Sequence, residues 1–247
     1  MYFKAHAGHI GCALSCIDLM IVLLFRIKSR EDKFILSKGH AAAALYKCLH
    51  KLGEISDDAI NSFYKDGTQL PAHAAPGMFS GIPFATGSLG HGLPVGTGMA
   101  KARKLKSDPS RVYVLMSDGE TNAGTCWEAA HFAVVHQLDN LIVIIDKNGL
   151  QGFDRLENVL GDTAAIDKWK GIGFEVLEID GHNEDEIEKA LHKLNSSALK
   201  SPKLVIANTL KGKGVSYMEN RLEWHYLPMS EDLYNMAIQE IKEKYRA

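Results

Sequence analysis

Five short apolar runs, each ending in polar residues, set the rhythm of this chain: "KFILSKGH", "RVYVLMSD", "NLIVIID", "FEVLEID" and "KLVIANTL". Runs of this length rich in Val, Ile and Leu predict strands buried on both faces, the mark of a parallel sheet covered by helices. Segments of helical pattern separate them. "CIDLMIVLLFRI" is apolar over helical length, and "AAAALYKCLHKLG" is a strong helix former with Gly53 as a C-terminal stop. "SDDAINSFY" opens with Ser56 as N-cap and two acids in the first turn. A Gly/Pro-rich stretch from Gly67 to Gly98 predicts a long loop that leads into a helix through "GSLGHGLPVGTGMAKARKL". From Arg111 onward, strand and helix alternate regularly: "TCWEAAHFAVVHQ", "AAIDKWKGIG" and "NEDEIEKALHKLNSS" read as helices between the strands. The expectation is an α/β fold, mostly parallel and doubly wound, with helices on both faces. Ligands of such sheets bind beyond the carboxyl ends of the strands.

Neither repeats nor linkers interrupt the pattern, so one domain over residues 1–247 is expected, with a C-terminal helix at about 230–246. A formal net charge of −2 gives no electrostatic reason to expect nucleic acid or an anionic membrane as partner. No apolar run reaches the roughly 18 residues needed to span a bilayer. The longest, Ile17 to Phe25, lacks the flanks of a signal peptide. Cys12, Cys16, Cys48 and Cys126 form no CxxC pair; buried thiols of a cytoplasmic protein are the simplest reading.

Chemistry enters at two strand tips, "SDGE" after "VYVLM" and "DKNG" after "LIVII". Alone, Asp118 could be a helix cap and Asn148-Gly149 a turn. Strands joined by one crossover helix usually lie side by side, so the two tips can meet. A carboxylate, an amide oxygen and a nearby backbone carbonyl form the oxygen set that a hard cation accepts, with water and phosphate completing its shell. Gly119 would let the backbone approach a phosphate, beside the amide end of the next helix. The pair suggests a metal–diphosphate site. "GHGLPVG" misses the GxGxxG frame by one residue, and "LKGKGVS" lacks the P-loop frame. His50, His131, His136 and His192 fall in helices as fillers, and His182 reads as a structural helix-entry residue. His9, His40, His73, His91 and His225 sit beside Gly or Pro or in loops, where neutral imidazoles could serve a polyhydroxylated substrate. Lys211 and Lys213 are either phosphate partners or solvated surface cations.

The spacing 148 − 118 = 30, with Gly after the aspartate, resembles the thiamin diphosphate motif, in which a GDG is followed by NN about thirty residues later. The flanking text resembles transketolases. "AGHIGCALS" is similar to the family's SGHPGAPMG, "FILSKGHAAAALY" to its LSxGH segment, and "ATGSLGHGLPVGTGMA" to its TGxLGQG loop. "LKGKGVSYMENRLEWH" is similar to its KGKGVxxMEN…WH segment, and the matches run in family order over nearly the whole chain. The resemblance implies a thiamin diphosphate-binding fold and transfer of a two-carbon ketol unit from a ketose to an aldose. It implies Asp118 and Asn148 as side-chain ligands, and the Leu150 carbonyl as a third, for Mg²⁺ (or Ca²⁺ or Mn²⁺). Gly119 would touch the diphosphate, while Gly87, Ser88 and Leu89 would lie against the cofactor rings. His40 and His225 would stand by the diphosphate and reacting centre, and His9 and His73 would face the sugar.

Departures carry expectations too. Ser117 replaces the first Gly of GDG, and Lys147 replaces the first Asn of NN, which would place a cation near the metal. Ala123 stands where many members carry a glutamate that couples two active sites, though Glu128 is retained; Ile10 replaces a common Pro, and His91 a common Gln. The chain starts at "MYFKAHAGH" without the family's usual leading helix, and after "EWHYLP" shows one amphipathic helix. The family's aminopyrimidine-side glutamate belongs to a domain with no counterpart here. The resemblance therefore implies a separate C-terminal subunit carrying the pyrimidine-binding domain and catalytic glutamate, in a two-plus-two heterotetramer acting on sugars or sugar phosphates. Two rivals stay open: a subunit of another split thiamin enzyme, of 1-deoxyxylulose-phosphate synthase or 2-oxo acid dehydrogenase type, and a non-catalytic cofactor-binding module.

Overall fold

The computed structural model describes residues 1–77 and 79–244. Strands β1 (Lys33–Leu36), β2 (Val112–Ser117), β3 (Leu141–Lys147), β4 (Glu175–Asp180) and β5 (Lys203–Asn208) form one sheet. Their order is β1-β2-β3-β5-β4, and every pairing is parallel. In chain order the helices are α1 (Ile10–Val22), α2 (Ala42–Lys51), α3 (Asp57–Asn61), α4 (Gly92–Leu105) and α5 (Gly124–Val135). They continue with α6 (Leu156–Val159), α7 (Ile166–Ile172), α8 (Glu184–Asn195) and α9 (Glu231–Lys244). The expected C-terminal helix is thus present to Lys244; its last two expected positions lie outside the described residues.

Period-two alternation divides each strand between two cores. Phe34, Leu36, Tyr113, Leu115, Ile142, Ile144 and Val205 face the layer of α1, α2 and α8. Ile35, Val114, Met116, Val143, Ile145, Leu204 and Ile206 face the opposite layer, with residues of α4, α5 and α7. Along β1, β2, β3 and β5 the core-facing residues are dry on both faces, which is why these strands read as unbroken apolar runs. β4, at the sheet edge, departs from that expectation, with only Val176 buried and Glu178 and Asp180 exposed. Truncating one such position, Ile144→Ala, would cost about 2–5 kcal/mol.

Adjacency of consecutive strands holds for β2 and β3 but not for β3 and β4, because β5 inserts between them. The tips of β2 and β3 are consequently neighbours: Ser117 lies opposite Asp146. The helix after the Gly/Pro-rich loop begins at Gly92, with Pro94 in the first turn, where a missing N–H costs no hydrogen bond. Ser56 caps α3 by accepting from the Ala59 N–H. His182 is structural, as expected. Its Nδ1 lies 2.7 Å from Asp18 on α1, and its Nε2 accepts the Leu210 N–H at 2.8 Å.

One expectation needs correction. α1 continues into a wider π-helical turn, Leu23–Ile27, and the combined Ile10–Ile27 stretch of 18 residues has mean hydropathy 2.2. By length and composition it could cross a membrane; reading the run as residues 17–25 hid this, because it left out residues 10–16, where Gly11 and Ser15 interrupt the apolar positions. In this fold half of the stretch is buried, and α1 packs on α2 and α8 as a core helix.

Candidate functional site

The carboxyl ends of β1, β2 and β3 and the loops beyond them enclose a cleft of about 250 Å³. Asp118 lies beneath its floor, with no solvent exposure. Its Oδ1 accepts the Gly119 N–H at 2.7 Å and its Oδ2 the Gly149 N–H at 2.6 Å. Among the described residues no cation pairs with it. Burial, and then the neighbouring Asp146 carboxylate, push its pKa up to about 6. Asn148 Oδ1 accepts the Leu150 N–H at 3.1 Å, forming a tight turn over Gly149, whose φ of 77° suits glycine.

The second aspartate, Asp146, has a different environment. Lys38 Nζ and Thr209 Oγ1 both donate to its carboxylate at short range, and Ser15 Oγ adds a bond of 2.6 Å. Lys38 also donates to the Cys12 carbonyl at 3.0 Å, and both charged groups are fully buried. Burial opposes both charges. The Lys38 ammonium nevertheless holds Asp146 below the usual carboxylate value, and Asp146 lifts Lys38 above the usual lysine value. Lys147 departs from its expected place beside the metal. Its ammonium turns away to Asp162 at 2.8 Å, so the substitution adds no cation to the clamp.

The four histidines assigned to catalysis converge. His9 lies with its ring centroid 5.6 Å from His40, 6.0 Å from His73 and 5.3 Å from His225. His9 takes a left-handed φ of 73° at the start of α1, and its N–H donates to the His225 carbonyl at 2.9 Å. Lys211, also fully buried, places Nζ 2.8 Å from His225 Nδ1. Burial first, with neighbouring rings and the Lys211 ammonium adding to it, lowers His9 to about 4 and His225 to about 3. His40 falls well below its usual value through burial and Lys38, and His73 is lowered by burial. The cluster is therefore made of neutral imidazoles near pH 7, each able to accept one hydrogen bond and donate another. Cys12, His40 and His225 also bring ligand atoms within 4.8 Å of one another. With His225 Nδ1 already engaged by an ammonium, a soft metal gains little there.

His9, His40, His73, His225, Gly87, Leu89, Gly119, Asn148 and Leu150 all line the cleft. Ser88 does not: it is exposed and absent from the wall. His91 is exposed as well, its Nδ1 3.1 Å from the Leu89 carbonyl. The wall also holds Lys38, Gln151, Phe153 and Tyr226, which the pattern of residues did not single out. Lys38 carried one signal, since it follows the apolar run "FIL" at a strand's carboxyl end.

The residues present fit a divalent cation with a diphosphate. Asp118 is a buried carboxylate one cation short, and Asn148 and the Leu150 backbone add oxygen donors beside it. A Cβ on Gly119 would sit 2.8 Å from Gln151 Cγ, so only glycine leaves that approach open. Gln151 Nε2 is a buried donor without a partner among the described residues.

A doubly wound α/β domain with an oxygen-ligand clamp and cationic groups at its strand tips defines a phosphate-cofactor-binding domain. The family model for the transketolase, thiamine diphosphate binding domain matches residues 2–246, and the chain belongs to that family. It is 38% identical over 251 residues to an apulose-4-phosphate transketolase subunit of Phocaeicola vulgatus, covering 98% of this chain and 89% of that one. It is 35% identical to the 6-deoxy-6-sulfo-D-fructose transketolase subunit SqwG of a Clostridium species, covering 98% and 90%. The crystal structure of Campylobacter jejuni transketolase superposes with a TM-score of 0.86 at 32% identity, covering 98% of this chain but 39% of that one. The chain thus spans about nine tenths of the subunit-type relatives and two fifths of the single-chain enzyme.

Proposed function

We propose that this chain is the diphosphate-binding subunit of a two-polypeptide transketolase, moving a two-carbon ketol unit from a ketose to an aldose. Asp118 is the observation that carries the reading: a buried carboxylate held by two amides and lacking a cation. With Asn148 and the Leu150 carbonyl it would hold Mg²⁺, or Ca²⁺ or Mn²⁺, and through the cation a diphosphate lying against Gly119. Lys38, paired with Asp146, and Lys211 also line the cleft. Thiamin diphosphate, when bound, supplies the electron sink for the two-carbon unit. Gly87, Ser88 and Leu89 form the loop on its ring side; exposed Ser88 would contribute backbone only.

His9, His40, His73 and His225 bind and orient sugar hydroxyls. Their low pKa values keep each ring able to take a proton from one oxygen and return it to another without first losing one to solvent. The partner is a polypeptide carrying the pyrimidine-side domain and its carboxyl group, in a two-plus-two assembly. Names of the relatives that match nearly end to end, both subunits of sugar transketolases, support a ketose donor. Four buried free thiols suit a reducing, cytoplasmic setting.

The test is a ketol-transfer assay with xylulose 5-phosphate and a panel of aldoses, for the chain alone and with its partner polypeptide. Metal-dependent cofactor binding by the chain and turnover only by the pair are expected. Turnover by the chain alone overturns the split arrangement. Cofactor binding without ketol transfer or decarboxylation by the pair favours a non-catalytic module.

A further inference from the structure

A second buried carboxylate, Glu120, lies two residues beyond Asp118 and touches neither the cleft nor the histidine cluster. Its Oε1 accepts the Gly90 N–H at 2.9 Å and a short hydrogen bond from Ser37 Oγ. Its Oε2 accepts the Ser117 N–H at 3.3 Å, and its own N–H donates to Ser117 Oγ at 3.3 Å. One side chain therefore joins three segments far apart in sequence: the tip of β1, the Gly87–Gly90 loop and the tip of β2. Gly90 is held from its other side as well. Thr125 Oγ1 donates to its carbonyl at 2.8 Å, and a Cβ there would sit 2.5 Å from Ala123 Cβ. No helix or strand covers residues 79–91, so these anchors set where the loop's Gly87 and Leu89 meet the cleft.

We infer that Glu120 is a positioning residue that sets the distance between the diphosphate turn, Asp118-Gly119, and the loop Gly87–Leu89 that faces the cofactor's rings. The inference rests on the cofactor reading above. The cation clamp and the ring-side loop are separate pieces of chain, and a cofactor that bridges them binds well only if their separation is fixed. Glu120 fixes it with backbone amides at both ends. Removing the carboxylate frees the loop and leaves the Asp118, Asn148 and Leu150 ligands where they are.

Two ligands separate a positioning role from general support of the site. Inorganic pyrophosphate with Mg²⁺ uses only the clamp, whereas thiamin diphosphate with Mg²⁺ uses clamp and loop. Calorimetric titration of both into the full chain, wild type and Glu120→Ala, is expected to show thiamin diphosphate weakened at least tenfold more than pyrophosphate. Glu120→Gln keeps an acceptor for Gly90 and Ser37 and is expected to recover most of the loss. Thr125→Val removes the other anchor of Gly90 and keeps the protein testable should Glu120→Ala fail to fold; a smaller loss of the same selectivity is expected. Equal weakening of both ligands in the folded variants overturns the inference, as does unchanged binding of thiamin diphosphate. A wild type that binds pyrophosphate but not thiamin diphosphate overturns the cofactor reading and this inference with it. In the partnered enzyme, Glu120→Gln is expected to raise the cofactor concentration at half-maximal rate while the rate at saturation changes less than threefold.

Discussion

Asp118 and Asp146 stand at the tips of adjacent parallel strands, both without solvent exposure, and they are bonded in opposite ways. Asp146 is closed: an ammonium and two hydroxyls satisfy it, and its pKa is held down. Asp118 is open: two amides bond to it, no cation among the described residues pairs with it, and its pKa rises to about 6. A buried carboxylate without a paired cation is costly, and the cation proposed for this cleft would relieve that cost at Asp118. The same residue type one strand apart is cement in one place and, in the proposed function, a metal ligand in the other.

The largest effect is expected from breaking the closed member. Asp146→Ala leaves Lys38 buried and unpaired and should cost about 3–5 kcal/mol of stability, read from denaturant melts. A cost below about 1 kcal/mol would mean that the pair does not support the strand tips. Next comes the pH dependence of the open member in metal-free protein. Unfolded, Asp118 titrates near the ordinary carboxylate value of 3.8 and folded at about 6, so the folded state holds the extra proton between those values. Wild type, relative to Asp118→Asn, should therefore lose stability as pH rises from about 4 to above 6, by up to about 3 kcal/mol. Asp146 predicts the opposite sign: its contribution is present above the usual carboxylate value and lost as pH falls through the folded one. Parallel stability curves for wild type and Asp118→Asn would contradict the open assignment.

A smaller effect concerns the imidazoles. Folded values of about 4 for His9 and about 3 for His225 lie below 6.5, so their stabilisation is complete above pH 6.5 and declines as pH falls toward the folded values. Ring NMR signals of both should stay unshifted from pH 8 to 5; a midpoint near 6.5 would show protonated rings and remove them as neutral hydrogen-bond partners. The smallest effect is reserved for Lys147→Ala. Its partly exposed pair with Asp162 lies off the clamp, so stability should change by less than about 0.5 kcal/mol and cofactor affinity by less than about twofold.

Much of this arrangement was legible in sequence, and the reasons for the gaps are physical. Strands buried on both faces betray themselves as unbroken apolar runs, so the sheet and its helix layers could be read directly. Insertion of β5 between β3 and β4 could not, because strand order depends on crossover packing rather than local pattern. Asp118 and Asn148 were visible through spacing. Lys38, Asp146 and Glu120 were not, because a buried charged residue looks like a surface one until its partners are known. Those partners lie far away: Ser15 is 131 positions from Asp146, and Ser37 is 83 from Glu120. Lys147 misled for the same reason, since its direction is set by Asp162 on a later loop.

The most direct measurement is calorimetric titration of thiamin diphosphate into the wild type and Asp118→Ala, with and without Mg²⁺, on protein whose fold is checked by circular dichroism. Wild type should bind only when the cation is present, and folded Asp118→Ala should lose at least about 100-fold in affinity. Metal-dependent binding retained within about threefold by Asp118→Ala would contradict the clamp at the two strand tips.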